Sequence, residues 1–569
     1  MLEVDVESER SDSIPDARLL GVAALSAVAL AACGGGAGTG TSSGSSSTPT
    51  PTPTPTPTVV KSTAAQASRL LMQAQFAATD ADITAVQNQG YSTWLDAQLA
   101  APTSQTGWDW LMANGYNDVS FISQSLPMDY MIWKQLMGSP DQVRKRVALA
   151  LSEIMVASVV GVAVNWRSFA MAAYWDTLVA NAFGNFRTLL EAITLNPAMG
   201  YYLNTLGNQK AVVSTGRVPD ENYAREVLQL FTIGLYELNA DGSNKLGSTG
   251  QPIETYTQLD ITSLARVFTG WTLDNTGSTT SNLLNVKQPM ANIAALHETG
   301  ASTFLGITVP ANVTAAEALR ITLDGIFNHA NVGPFIGKQL IQRLVTSNPT
   351  PAYVGRVTAI FNNNGSGVRG DMKAVIKAVL LDDEARNDAT LARTDFGRIR
   401  EPIVRLVQWA RTFNVTSPSD QWRIADTSSD STRLGQSPLR SPTVFNFFRP
   451  GFVPPNTALA SSGQVSPELQ LVSEVTVAGY LNFMQTVVKT GLADAVPAYT
   501  TERALLSDTT ALVDRLNLLL TANQLSAATT AAIRTALAAI AITTTTGQDN
   551  RVAAAIWLVM ASPEYLVQK

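Results

Sequence analysis

Residues 144–159 read RKRVALALSEIMVASV. Apolar side chains recur there at spacings of three and four, so a helix would gather them on one buried face. The same period runs through Ala315–Phe327, Val332–Val345, Tyr353–Phe361, Lys373–Leu381, Ile399–Phe413, Thr509–Leu520 and Asn550–Met560. Strand signals are few. The clearest are Leu235–Leu238 and Ile253–Tyr256, which flank a loop containing Asp241-Gly242 and predict a β-hairpin inserted between helices. The expected fold class is mainly α: a large multi-helix globular body with a small inserted hairpin.

Globular composition extends from Lys61 to Lys569 with no second linker. These residues are expected to form a single large helical domain; if it has two lobes, the polar stretch Thr416–Ser431 is the seam. Residues 33–60 are rich in Gly, Ser, Thr and Pro and lack the apolar content to build a core, so a disordered N-terminal linker is expected. Thr48–Thr58 alternates Thr and Pro, which favours polyproline II and a semi-rigid spacer of about 35 Å.

The apolar run Leu19–Ala32 is fourteen residues long, whereas a membrane-spanning helix needs about 20. With Leu30-Ala31-Ala32 directly before Cys33, residues 1–32 resemble a bacterial lipoprotein signal peptide. On that reading Cys33 carries lipid and tethers the mature chain in the cell envelope. Gly34 follows it rather than Asp, so the outer membrane is expected over the inner one. Residues 1–18 depart from the usual pattern, with six acidic side chains against Arg10 and Arg18, where signal n-regions are basic.

The whole chain has a net charge of −6. Loss of residues 1–32, with two basic and six acidic side chains, would bring it to about −2. Neither value suits nucleic-acid binding, which needs a concentrated basic surface. Cys33 is the only cysteine, so a disulfide framework and a thiolate metal site are both excluded. Two histidines, His297 and His329, are too few for a histidine-rich metal centre or a multi-histidine haem system. No cofactor and no metal are expected. Asn364–Gly370 lacks the Gly-Lys-Ser/Thr ending of a phosphate loop and reads as a helix connector, with Asp371 capping the second helix. Asn239–Ser243 lacks the glycine and closing glutamate of a calcium loop and reads as a turn.

The densest polar cluster is Asp220 to Glu226. Glu221 and Arg225 are four residues apart, as are Asn222 and Glu226, so each pair shares a helix face. One reading is a carboxylate site, in which Arg225 holds one acid ionised while burial raises the pKa of another. The other is a helix start, with Pro219 in the first turn and Asp220 and Glu221 at the positive end of the dipole, stabilised by ion pairs. His297, near Gly300 and Gly306, suits a proton shuttle or a ligand, and equally a bond to a backbone carbonyl. His329 reads as a helix C-terminus. Thr257-x-x-Asp260 reads as a capping box opening the helix toward Arg266 and Trp271. Trp271 suits either a sugar-stacking surface or the core.

An ordered set of segments carries a family resemblance: Pro219–Glu226 continuing through Leu230–Gly234, Tyr256–Asp260 with Phe268–Trp271, His297–Gly300 with Thr303–Gly306, Arg400-Glu401-Pro402, and Ser441–Phe448. Together they resemble a bacterial family known as domain of unknown function 1800 (DUF1800), over nearly the whole body. The family usually has Asn at the position of Asp220, and His-Asp where this chain has His297-Glu298. The resemblance implies an envelope location and a secreted protein partner. The expected function is thus a lipid-anchored envelope protein that binds or scaffolds that partner. The alternatives are an envelope polysaccharide hydrolase or lyase with Glu221, Arg225, Glu226 and His297 as its site, and a purely structural surface protein.

Overall fold

The structure, a computed structural model, describes residues 61–276 and 282–569. Residues 1–60, on which the expected signal segment, the expected lipid site at Cys33 and the expected linker fall, lie outside the described residues. Helix Gln142–Ser152 occupies only the first part of the opening stretch. Ile154–Val159 are as buried as the helix but irregular. The reason is tertiary. The Glu153 carbonyl accepts from Arg343 Nη2 at 2.9 Å, the Met155 carbonyl accepts from the Tyr174 hydroxyl at 2.6 Å, and Val159 N–H donates to the Leu439 carbonyl at 3.1 Å. Once these groups have partners elsewhere, prolonging the helix gains nothing for them.

The other expected helices stand close to their sequence limits: Ala315–Asn328, Val332–Leu344, Pro351–Asn362, Met372–Leu381, Thr509–Thr521 and Thr545–Ala561. Thr257 and Asp260 form the capping box, Asp371 caps helix Met372–Leu381, and His329 ends helix Ala315–Asn328. Helix Pro402–Thr412 starts three residues later than the periodicity suggests. Arg398–Ile399 pair instead with Val567–Gln568, so the C-terminus clamps the entrance to this helix. Pro402 fits the first turn, where no N–H bond is lost.

Pairing between residues 235–238 and 253–256 is present as an isolated bridge, Tyr236 opposite Glu254, with Glu237 N–H bonded to the Ile253 carbonyl at 2.8 Å. A regular hairpin lies further on, Ser302–Phe304 against Ile307–Val309. The third two-stranded pair is Trp271–Thr272 with Ala291–Asn292. All else among the described regular elements is helical, and the described residues form one compact unit. Residues 416–431 belong to it: Thr416 bridges Val496, and Ile424 and Thr427 are buried. Trp110, Trp133, Trp175 and Trp409 are fully buried in one continuous core. Among the described residues, no helix is long and apolar enough to cross a membrane.

Candidate functional site

A cavity of about 560 Å³ opens beside helix Val332–Leu344. Phe335, Gln339 and Arg343 are four residues apart and form one stripe of that helix along its wall. Gln229, Leu230 and Leu235 come from the end of helix Asn222–Gln229 and the turn after it. That turn needs Gly234, which has φ +74° and whose added Cβ would lie 2.7 Å from the Phe335 ring. A side chain there would meet both the wrong backbone region and the wall itself. Phe445, Arg449 and Phe452 close the far side, and Glu153 and Ile154 reach in from the end of helix Gln142–Ser152. The walls are apolar, while Glu153, Gln339 and Arg343, all nearly sealed from solvent, provide a polar floor.

Beneath that floor lies a buried charge network. Arg343 Nε is 3.4 Å from Glu153 Oε2. The Arg343 carbonyl, near the end of its helix, accepts from Arg146 Nη2 at 2.5 Å and also from Arg398 Nη1. Two guanidinium groups thus meet the negative end of the helix dipole. Arg398 also pairs with Glu401 at 2.5 Å and Glu468 at 2.8 Å. Glu401 is the N-cap of helix Pro402–Thr412, and its other oxygen accepts from Gln436 at 3.0 Å. Burial opposes the charge on Glu401, but Arg398 outweighs it and holds the pKa down to about 2. Burial, then the Glu401 carboxylate, pushes Glu153 well above the usual range. The shift favours the protonated form of Glu153 beside the Glu401 carboxylate, as expected where two carboxyl groups lie close together away from water. Burial raises Glu468 as well.

The residues singled out from sequence fall into three environments. Glu221 and Arg225 pair at 3.2 Å on the surface, both about a third exposed, and Gln258 and Thr262 each donate to Glu221 at 2.7 Å. This ties the start of helix Asn222–Gln229 to helix Gln258–Ala265. Pro219 stands outside the helix, and Asp220 accepts from Asn222 N–H at 2.8 Å. Glu226 is more deeply set, with Oε2 buried and unpartnered near Tyr202 and Tyr256. Burial pushes its pKa up to about 7 against the pull of Arg225. Such a carboxyl can give or take a proton at neutral pH. His297 is sealed elsewhere, its Nδ1 3.1 Å from the Thr269 carbonyl. Glu298, next to it, faces Arg266 at 3.6 Å and accepts from Gly300 N–H. Trp271 is in the core.

Glu153, Arg343, Arg398, Glu401 and Glu468 were not singled out from sequence. Two of them had a visible signal: Glu153 interrupts the apolar period of residues 144–159, and Glu401 stands in the Arg400-Glu401-Pro402 motif. Among the described residues, no group of three or more His, Cys, Asp or Glu side chains is placed to hold a metal ion. No curated protein and no solved structure matches this chain. A family model described as "Protein of unknown function (DUF1800)" matches residues 69–567, which takes in every residue of the cleft and its floor, and the chain belongs to that family.

Proposed function

We propose that this is an envelope-tethered binding protein whose recognition site is the apolar cleft above Glu153 and Arg343. The observation that carries this reading is the combination of an open cavity of about 560 Å³, largely apolar walls and a few buried polar groups gathered at one end. That is the ordinary construction of a small-molecule site, in which the walls supply affinity and the polar groups fix orientation. Lipid at Cys33 would hold the body at the outer membrane, with residues 34–60 as a spacer.

The neutral fluorophore N-phenyl-1-naphthylamine tests the cleft. It should brighten on binding, and Leu235→Trp at the half-exposed mouth should remove most of the gain with little change in melting temperature. No gain, or an equal gain in the variant, sinks the cleft as a recognition site. Intact mass of the purified protein tests the tether, since an unprocessed chain with a free Cys33 thiol contradicts it.

Capture of a secreted protein is a second reading with separate support. Val213 and Val218 are 99% and 74% exposed beside the tight turn that pairs Val212 with Arg217. Co-purification of a stoichiometric envelope protein, lost with Val213→Asp and Val218→Asp together, would support this reading; recovery of no such protein would overturn it.

A further inference from the structure

A second open groove, of about 430 Å³, lies between helices Glu474–Thr490 and Thr545–Ala561 and shares no residue with the apolar cleft. The start of one helix meets the end of the other. Trp557 Nε1 donates to the Leu481 carbonyl at 3.0 Å, and the Tyr480 hydroxyl donates to the Met560 carbonyl at 3.3 Å. Asn550, Ala553, Ala554 and Trp557 recur at spacings of three and four and form one wall. Gln485 and Lys489, four apart, stand on the other. Ala553 and Ala554 contribute only methyl groups, which leaves the space between the walls hollow.

The lining joins one aromatic plate to hydrogen-bonding groups that are open to solvent. Trp557 is half-buried, and its bond to Leu481 holds the indole in one orientation. Gln485 and Lys489 are exposed and Asn550 is half-buried. Among the described residues, nothing hydrogen-bonds to these three side chains. Each amide carries donors and an acceptor side by side. Among the described residues, Lys489 is the one charged side chain in the lining. A strongly charged ligand therefore finds little to pair with. A purely apolar one would take both amides out of water without giving them a partner, which costs free energy.

A β-linked glycan meets both halves of this surface. Its rings are flat, with C–H groups on each face and hydroxyls around the rim. An indole suits the C–H face, since its body is apolar and C–H groups are weakly attracted to the π-system. Amides suit the rim, where they give and accept a hydrogen bond at once. The volume of about 430 Å³ also falls within the range of about 300–1,000 Å³ that small-ligand sites occupy. We propose that the groove binds an uncharged β-1,4-linked glycan chain, with one ring on Trp557 and rim hydroxyls on Gln485 and Asn550.

Calorimetry of the full chain with cellohexaose and chitohexaose tests it. At least one of the two should bind. Gln485→Ala and Asn550→Ala together should weaken that binding at least fivefold at an unchanged melting temperature, because neither side chain bonds to the rest of the protein. Trp557→Ala also frees the Leu481 carbonyl, so Ala554→Leu, which fills the groove and removes no bond, is the cleaner block and should abolish binding. If neither oligosaccharide binds, the assignment is overturned. It is overturned as well if Ala554→Leu leaves the affinity in place, since the ligand then sits elsewhere. Sedimentation gives the third check: a dimer that Ala554→Leu breaks would make the groove an interface between copies of this chain, and the glycan assignment falls. None of these outcomes bears on the apolar cleft, which the naphthylamine signal reads separately.

Discussion

Two charge clusters of this protein can be set side by side. One is the Glu221–Arg225 pair of the run Asp220–Glu226, four residues apart in sequence and lying at the surface. The other joins Arg146, Glu153, Arg343, Arg398, Glu401 and Glu468, separated by up to 322 positions, each nearly or fully buried. In the first, water competes for every partner, so the pairs fasten two helices lightly. In the second, no water is available and each charge depends on its neighbours. The same residue types thus contribute little in one place and make the structure intolerant of change in the other. The buried cluster also touches the apolar cleft, and the surface pair does not.

Breaking the buried cluster should give the largest effect. Arg398→Met leaves Glu401 and Glu468 without their shared partner and the Arg343 carbonyl with Arg146 alone. A loss of about 3–5 kcal/mol is expected from removing one side of a buried ion pair, read as a lower urea midpoint. A loss under 1 kcal/mol would mean that Arg398 does not hold the network together.

The contrast also explains what the sequence shows and what it hides. Helices such as Val332–Leu344 and Met372–Leu381 were legible because their signal is a local period, to which Asp371 adds a local cap for the second. The end of helix Gln142–Ser152 was not, since Arg343, Tyr174 and Leu439 terminate it from distant parts of the chain. The pairing of Arg398 with Gln568 is equally remote. Glu221–Arg225 was visible from its spacing of four. The cleft was not, because its stripe from Phe335 to Arg343 looks like any amphipathic helix until residues 444–453 are packed across from it.

Glu153 should show the next largest effect, and its sign separates it from Glu401. Its pKa is raised in the folded protein, so between the unfolded value near 4.3 and the folded one the native state binds the extra proton. Stability from this group is therefore full at low pH and falls as pH rises. Glu401, held down, acts in the opposite sense, and its contribution is lost as pH falls toward 2. Glu153→Gln removes the first trend only. The variant should gain stability over the wild type at pH 8 and little at pH 4.5. Parallel pH profiles would show that Glu153 is ionised at neutral pH.

Glu226 stands between the two clusters, on the surface helix but turned inward. With a pKa near 7 it too favours the native state below the unfolded value and loses that contribution as pH climbs to neutrality. It is only partly buried, so solvent screening reduces the effect. Glu226→Gln should stabilise the protein by about 1 kcal/mol at pH 8 and leave it unchanged at pH 4.5. A titration of the side-chain carboxyl by NMR gives the same answer directly, with a midpoint near 4.5 contradicting the burial argument.

The smallest effect belongs to Arg225→Ala. Its pair with Glu221 is about a third exposed on both sides, and Glu221 keeps Gln258 and Thr262 when the guanidinium is gone. The expected cost is about 0.5 kcal/mol, and salt should remove most of it, since exposed pairs are screened over a Debye length of about 8–10 Å. Salt makes the comparison sharp, because the Arg398→Met penalty should be nearly the same in 0.05 M and 1 M sodium chloride. If Arg225→Ala cost several kcal/mol independently of salt, the surface run would be as cooperative as the buried network. The two clusters would then differ in position and not in kind.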